Sequence, residues 1–215
     1  MATSTYFGCY GTFNSPEREQ GVRLMSADSL VGDELEYAVQ HAEGKTKVVL
    51  SNRFGGEIGT LDAKTGHDVQ LCQAKGWVVH VLLASVYMKQ KGEDGRASHW
   101  GEVVVLAYAP SAAAAFDVFT GNIARMLGEG LRPEVDLLDS SVSQVLDSGG
   151  EWLPNGRRAA VSKDGNVLVK GQLGFNDKLV KQARKRNPGC LVAGWAFIAL
   201  LVFLAVYLVK LLFGL

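Results

Sequence analysis

The stretch 77-WVVHVLLASVYMK-89 is a long run of apolar and β-branched residues, and its reading decides how the rest of the domain is organised. Valine and tyrosine suit a pleated, packed surface, so the composition predicts a strand. Past the polar stretch 90-QKGEDGRASHW-100 the same character returns in 101-GEVVVLAYAP-110. The two runs are predicted to be antiparallel neighbours.

Working outward toward the N-terminus, 33-DELEYAV-39 alternates Leu35, Tyr37 and Val39 with polar residues, the period of a half-buried strand. The stretches 46-TKVVLSN-52 and 56-GEIGTLD-62 flank Arg53, Phe54 and Gly55, a hairpin signal. Residues 62–75 read as a short helix with Val69, Cys72 and Leu71 inward and Gly76 stopping it. Residues 1–20 are read as a segment ahead of this β-rich part, which spans 21–110.

Beyond Pro110 the period changes to that of a helix. Ser111 is placed to cap 112-AAAAFDVFTGNIARMLGEG-130, with Phe116, Phe119, Ile123, Met126 and Leu127 on one face. A second helix is predicted over 133-PEVDLLDSSVSQVLDSGG-150, with Pro133 in its first turn and a stripe of Val135, Leu138, Val142, Val145 and Leu146. The stretch 159-AAVSKDGNVLVKG-171 predicts a hairpin turning at Asp164-Gly165. Residues 111–175 thus read as a helix pair and a hairpin. The fold class expected is α+β: a small barrel-like or mixed antiparallel sheet with a packed helix pair, followed by one C-terminal transmembrane helix. A flat antiparallel sheet with helices on one face is the alternative.

From Cys190 to Val209 no side chain is charged, and a helix of about 20 such residues spans the ~30 Å core of a bilayer. Residues 190–215 therefore read as a transmembrane tail anchor. Trp195 and Tyr207 lie toward its two ends, as aromatic belts do, and Lys210 can snorkel. Residues 176–189 form a basic amphipathic juxtamembrane segment, with Asn176 read as the cap of its helix. Lys178, Lys181, Arg184, Lys185 and Arg186 precede the span and only Lys210 follows it, so the positive-inside rule places the N-terminal domain in the cytoplasm. The opening 1-MATSTYFGCYGTFNSPEREQG-21 lacks the apolar core of a signal peptide. The basic flank can meet anionic headgroups, and Cys190 stands where a palmitoyl chain could be added. Small residues at Ala193, Ala196 and Ala199 form a stripe through which spans could pair into a homo-oligomer.

Six of the 22 cations lie after Asp177 and all 22 acids lie at or before it, so residues 1–177 carry a net charge of −6. That is not the footprint of a phosphate-backbone binder. Cys9, Cys72 and Cys190 are odd in number and widely spaced, which predicts neither a disulfide nor a zinc site. Phosphate-loop, dinucleotide, hydrolase-elbow and zincin motifs are missing, and no cofactor is expected. His80, inside an apolar strand, is read as a hydrogen-bonded core histidine. His67-Asp68 alone lacks the further ligands a metal site needs, and 52-NRFGGEIG-59 is read as a turn.

The order of 32-GDELEYAVQ-40, a strand, 55-GGEIGTLD-62, a short helix, 76-GWVVHVLLASV-86 and 101-GEVVVLAY-108 resembles the HIRAN domain over roughly residues 21–110. The resemblance implies a small OB-like barrel and a grip on single-stranded DNA ends. The family's Asn-Pro-Asp-Asn stretch is replaced here by 41-HAEGKTKVV-49, so no binding residue carries over. The functional expectation is a single-pass, C-terminally anchored protein whose cytoplasmic domain is a non-catalytic interaction or ligand-binding module, with a protein partner at the membrane surface. The alternatives are a membrane-tethered enzyme with an unrecognised site and a HIRAN-like nucleic-acid binder.

Overall fold

The first strand, β1 (Tyr6–Ser15), lies within what the sequence reads as a leading segment. It is followed by helix α1 (Arg18–Met25), strands β2 (Glu34–Ala42), β3 (Lys45–Ser51) and β4 (Glu57–Leu61), helix α2 (Ala63–Ala74), and strands β5 (Val78–Lys89) and β6 (Ser98–Tyr108). A 3-10 turn at Pro110–Ala112 leads into α3 (Ala113–Gly128), then β7 (Leu131–Pro133), α4 (Asp139–Asp147), β8 (Gly156–Arg158), β9 (Asn166–Lys170) and α5 (Phe175–Arg184). This computed structural model describes residues 5–42, 45–89, 98–158 and 166–184. The chain divides into two units, Met1–Asp177 and Lys178–Leu215, the second described only as far as Arg184.

The first unit is α+β, built on a closed six-stranded antiparallel barrel in the order β2-β3-β4-β1-β6-β5. β5 and β6 pair along nearly their full lengths, from Val78↔Tyr108 to Lys89↔Ser98. The barrel closes where the first half of β5 meets β2, at Glu34↔Leu82 and Leu35↔Val81. Two bonds extend that seam, Gly32 N–H to the Leu83 carbonyl at 2.8 Å and Leu83 N–H to the Asp33 carbonyl at 2.9 Å. The second half of β5 leaves β2 and pairs with β9 instead.

This arrangement explains why the two central strands are apolar at almost every position. They are buried on both faces, as sheets covered on two sides are. Inside the barrel, Val81, Leu83, Val86, Val103 and Val105 pack with Phe13, Leu35, Leu50 and Ile58. On the outside, Leu82, Val104, Leu106 and Tyr108 pack against Phe116, Phe119 and Ile123 of α3. A register shift between Leu83 and Ser85 switches the pattern midway along β5. Leu24 of α1 and Val69 of α2 join the barrel core, so helical side chains complete the filling. Trp77 and Val79, at the start of this apolar run, are only half-buried.

β1 escapes a reading of alternation because glycines interrupt both of its faces. Phe7, Cys9 and Phe13 face the barrel, while Tyr6 and Tyr10 face α3 and its neighbours. Gly8 has no room for a side chain: a Cβ there would lie 2.1 Å from the Val135 carbonyl oxygen, which accepts the Tyr6 hydroxyl proton at 2.8 Å.

Two expectations for residues 111–175 are corrected. Ser111 makes no side-chain cap; α3 instead starts from the 3-10 turn headed by Pro110. The second helix is shorter than the stripe suggests, because residues 131–133 pair as β7 with β8 and the helix begins only at Asp139. Of its stripe Val145 is buried and Val142 partly so, while Leu138 and Leu146 are exposed. β8 joins β7 and β9 joins β5; the first arm of the expected hairpin, 159–163, and its Asp164-Gly165 turn lie outside the described residues. Asn176 does not cap α5 either: the helix starts at Phe175, and the Asp177 carboxylate accepts from Gly174 N–H at 3.0 Å.

α2 follows the sequence closely, with Val69 and Cys72 buried, Leu71 outward, and Gly76 at φ +71° just past its end. Asp62 caps it, accepting from Thr65 N–H and Thr12 N–H, both at 2.9 Å, and from both threonine hydroxyls. Partial burial alone would raise this carboxyl, but the four donors outweigh burial and hold it below its usual value of 3.8. A carboxyl depressed in the folded state adds stability above the unfolded value and loses it as pH falls through the folded one. Asp62→Asn is therefore expected to destabilise the domain by about 0.5–2 kcal/mol at pH 7. The deficit should shrink below pH 3.8, which paired urea titrations of the two proteins at pH 7 and pH 3 would read.

Candidate functional site

Two polar clusters occupy the outer face of the barrel, one at each end of the β5–β6 pair. The first is assembled from four elements. His80, near the start of β5, places Nδ1 2.6 Å from Glu34 Oε1 on β2 and Nε2 2.6 Å from Tyr108 Oη at the end of β6. Tyr108 in turn donates to Asp117 Oδ1 on α3 at 2.5 Å. The His80 and Tyr108 rings stack with centroids 5.5 Å apart. Burial pushes the Tyr108 phenol well above the ordinary range, and the Asp117 carboxylate that takes its hydrogen bond pushes it further. The reading of His80 as a hydrogen-bonded histidine holds. What the sequence did not reveal is that its partners come from positions 34, 108 and 117, because strand pairing and helix packing bring them together.

Glu34 also borders an open hollow of about 730 Å³ shared with Asp33, Glu36, Tyr37, Arg53 and Val79. Glu34, His80, Tyr108 and Asp117 thus form one chain of contacts. It also links the barrel seam to α3.

The second cluster centres on Glu102 of β6. Its carboxylate accepts from Arg132 Nη1 at 2.5 Å and Nη2 at 3.2 Å, from Ser85 Oγ at 2.9 Å and from Tyr87 Oη at 3.4 Å. The guanidinium carbon of Arg132 sits 3.8 Å from the centre of the Tyr10 ring, and the rings of Tyr87 and Trp100 stack at 4.2 Å. Burial alone would lower Arg132, but the bidentate bond to Glu102 overrides it and holds the charge. Arg132, Tyr10, Glu134, Asp136 and Arg157 border a hollow of about 490 Å³. With four donors on one carboxylate, Glu102 is committed to fixing β7 on the sheet. β7 was missed because Leu131, Arg132 and Pro133 are too few to show a period.

The remaining candidates stay apart. His67 is exposed, and its neighbour Asp68 borders a mostly apolar hollow of about 560 Å³ with Tyr6, Phe7, Leu71, Cys72, Lys75 and Trp77. His41 contacts the Thr46 hydroxyl at 3.0 Å. Among the described residues no three ligating side chains converge as a metal site would require. Burial pushes the Cys9 thiol up to about 12, with Asp68 and Asp62 adding to it, and burial also raises Cys72. Neither thiol is primed as a nucleophile at neutral pH.

Lys178 and Lys181 lie on α5 and Arg184 ends it, while Lys185, Arg186, Cys190 and the uncharged run lie outside the described residues. No helix among the described residues is long and apolar enough to cross a membrane. Comparison with models of known families, with curated proteins and with solved structures finds no match.

Proposed function

We propose that this chain is a single-pass, C-terminally anchored membrane protein whose N-terminal domain works on the cytoplasmic side as a non-catalytic interaction module. The observation that carries the reading is in the chain itself. Five cations at 178–186 precede an uncharged run, Cys190 to Val209, of the length a bilayer requires. The domain adds support. Its barrel interior is packed with side chains, and the Glu102 carboxylate accepts from Arg132, Ser85 and Tyr87. An apolar surface for a protein partner is offered by Leu138, 75 % exposed, with Leu146 and Val118 also outward.

The test is carbonate extraction of the full chain beside a variant lacking residues 188–215. Wild type is expected in the membrane pellet and the deletion variant in the supernatant, with an N-terminal reporter active on the cytoplasmic side. Recovery of intact wild type in the supernatant would sink the reading.

The enzyme alternative rests on the Glu34–His80–Tyr108–Asp117 chain, the described place where titratable groups meet beside a solvent-facing hollow. Tight salt-sensitive binding of single-stranded DNA by the anchored protein would favour the HIRAN-like alternative instead.

A further inference from the structure

We propose that α5 lies in the plane of the membrane interface, with Phe175 and Leu179 sunk below the headgroups and Lys178 and Lys181 facing the lipid phosphates. The proposal rests on the anchor reading above and assigns the juxtamembrane segment a contact of its own.

Its first ground is the phase of the helix. At about 100° per residue, Phe175, Leu179, Ala183 and Val180 fall on one arc of α5, with Asn176 among them, and Asp177, Lys178 and Lys181 on the opposite arc. Its second ground is exposure. Phe175 is 78 % and Leu179 51 % exposed, so the leading side chains of the apolar arc are left uncovered. A large aromatic and a leucine exposed one turn apart, beside lysines, is the pattern of helices that lie in an interface.

The choice of lipid as the occupant follows from chain length and charge. α5 ends at Arg184, and the uncharged run begins at Cys190. Six fully extended residues reach roughly 20 Å, so an anchored chain confines the end of α5 to that distance from the bilayer. Anionic headgroups also match the lysines of α5, which Lys185 and Arg186 follow in the sequence.

The test uses the full chain in nanodiscs of phosphatidylcholine and phosphatidylserine, with and without bromine on the acyl chains. Tryptophan is placed on the apolar arc in Leu179→Trp and on the opposite arc in Lys181→Trp, and emission is read relative to wild type. The added emission of Leu179→Trp is expected to be blue-shifted and quenched at least twofold by brominated lipid, and that of Lys181→Trp to be unaffected. Equal quenching at the two positions, or none at either while the protein co-elutes with the disc, overturns the in-plane helix and leaves the anchor standing. A blue shift that ignores bromine and grows with protein per disc assigns the arc to a second copy and also overturns it. Elution of the chain free of the disc removes the anchor reading and this one with it.

Discussion

Truncating Phe116 to alanine is expected to lower the unfolding free energy by about 3–5 kcal/mol, among the largest effects any single core change here should have. Phe116 is fully buried, and its ring stacks on Tyr6 with centroids 4.8 Å apart and on Tyr108 at 5.2 Å. Phe119 closes the cluster edge-on at 5.9 Å. The change would remove the aromatic contacts and leave a cavity between α3 and the outer face of the β1–β6 pair. Thermal unfolding of the full chain in mild detergent should show a fall in Tm of roughly 6–20 °C. A loss below about 1 kcal/mol would mean that α3 is not packed on the barrel as described.

The second large effect is expected at Lys170, on the edge strand β9. Its ammonium donates to three backbone carbonyls, those of Leu24 at 3.0 Å, Ser26 at 2.6 Å and Ser29 at 2.9 Å. These carbonyls belong to the end of α1 and the turn behind it, where a helix leaves acceptors unpaired and a cation is favoured. Lys170→Met keeps the length of the side chain and removes all three donors. Unpairing partly buried acceptors costs about 1–3 kcal/mol, and loss of bonds to a charged donor sits at the upper part of that range. The change should destabilise the domain by about 2–4 kcal/mol, and hydrogen exchange should quicken first at residues 24–33. Unchanged exchange there would show that the ammonium does not hold the turn.

How much of this was legible beforehand can be judged residue by residue. The β5–β6 pairing, the turn at Arg53–Gly56, α2 with its stop at Gly76 and the buried face of α3 all follow from local pattern, because each is a run whose own side chains set its period. β1 was passed over because Gly8 and Gly11 break both faces of its alternation, yet those glycines are there to let the Val135 carbonyl and the Thr65 side chain come close. β7 and β8 are three residues each, shorter than any period. Pro133, a good first residue for a helix, here ends a strand. The two polar clusters could not be read at all: Glu34, His80, Tyr108 and Asp117 are unremarkable singly, and only the seam and the packing of α3 gather them.

The long-range pairing of β1 with β6 also bears on how the protein is made. Tyr6 finds its partner in Tyr108, about a hundred residues later. At roughly 5–20 residues per second, the ribosome takes on the order of 5–20 s to deliver that partner after the first strand has emerged. Throughout that interval Phe7 and Phe13 are waiting, and the edge of β1 that will meet β6 stays open. Lys170 arrives later still, so the turn after α1 is secured only when nearly the whole domain has been synthesised. The nascent sheet therefore keeps an open edge until β6 arrives, and such an edge is a template on which a neighbouring chain can pair.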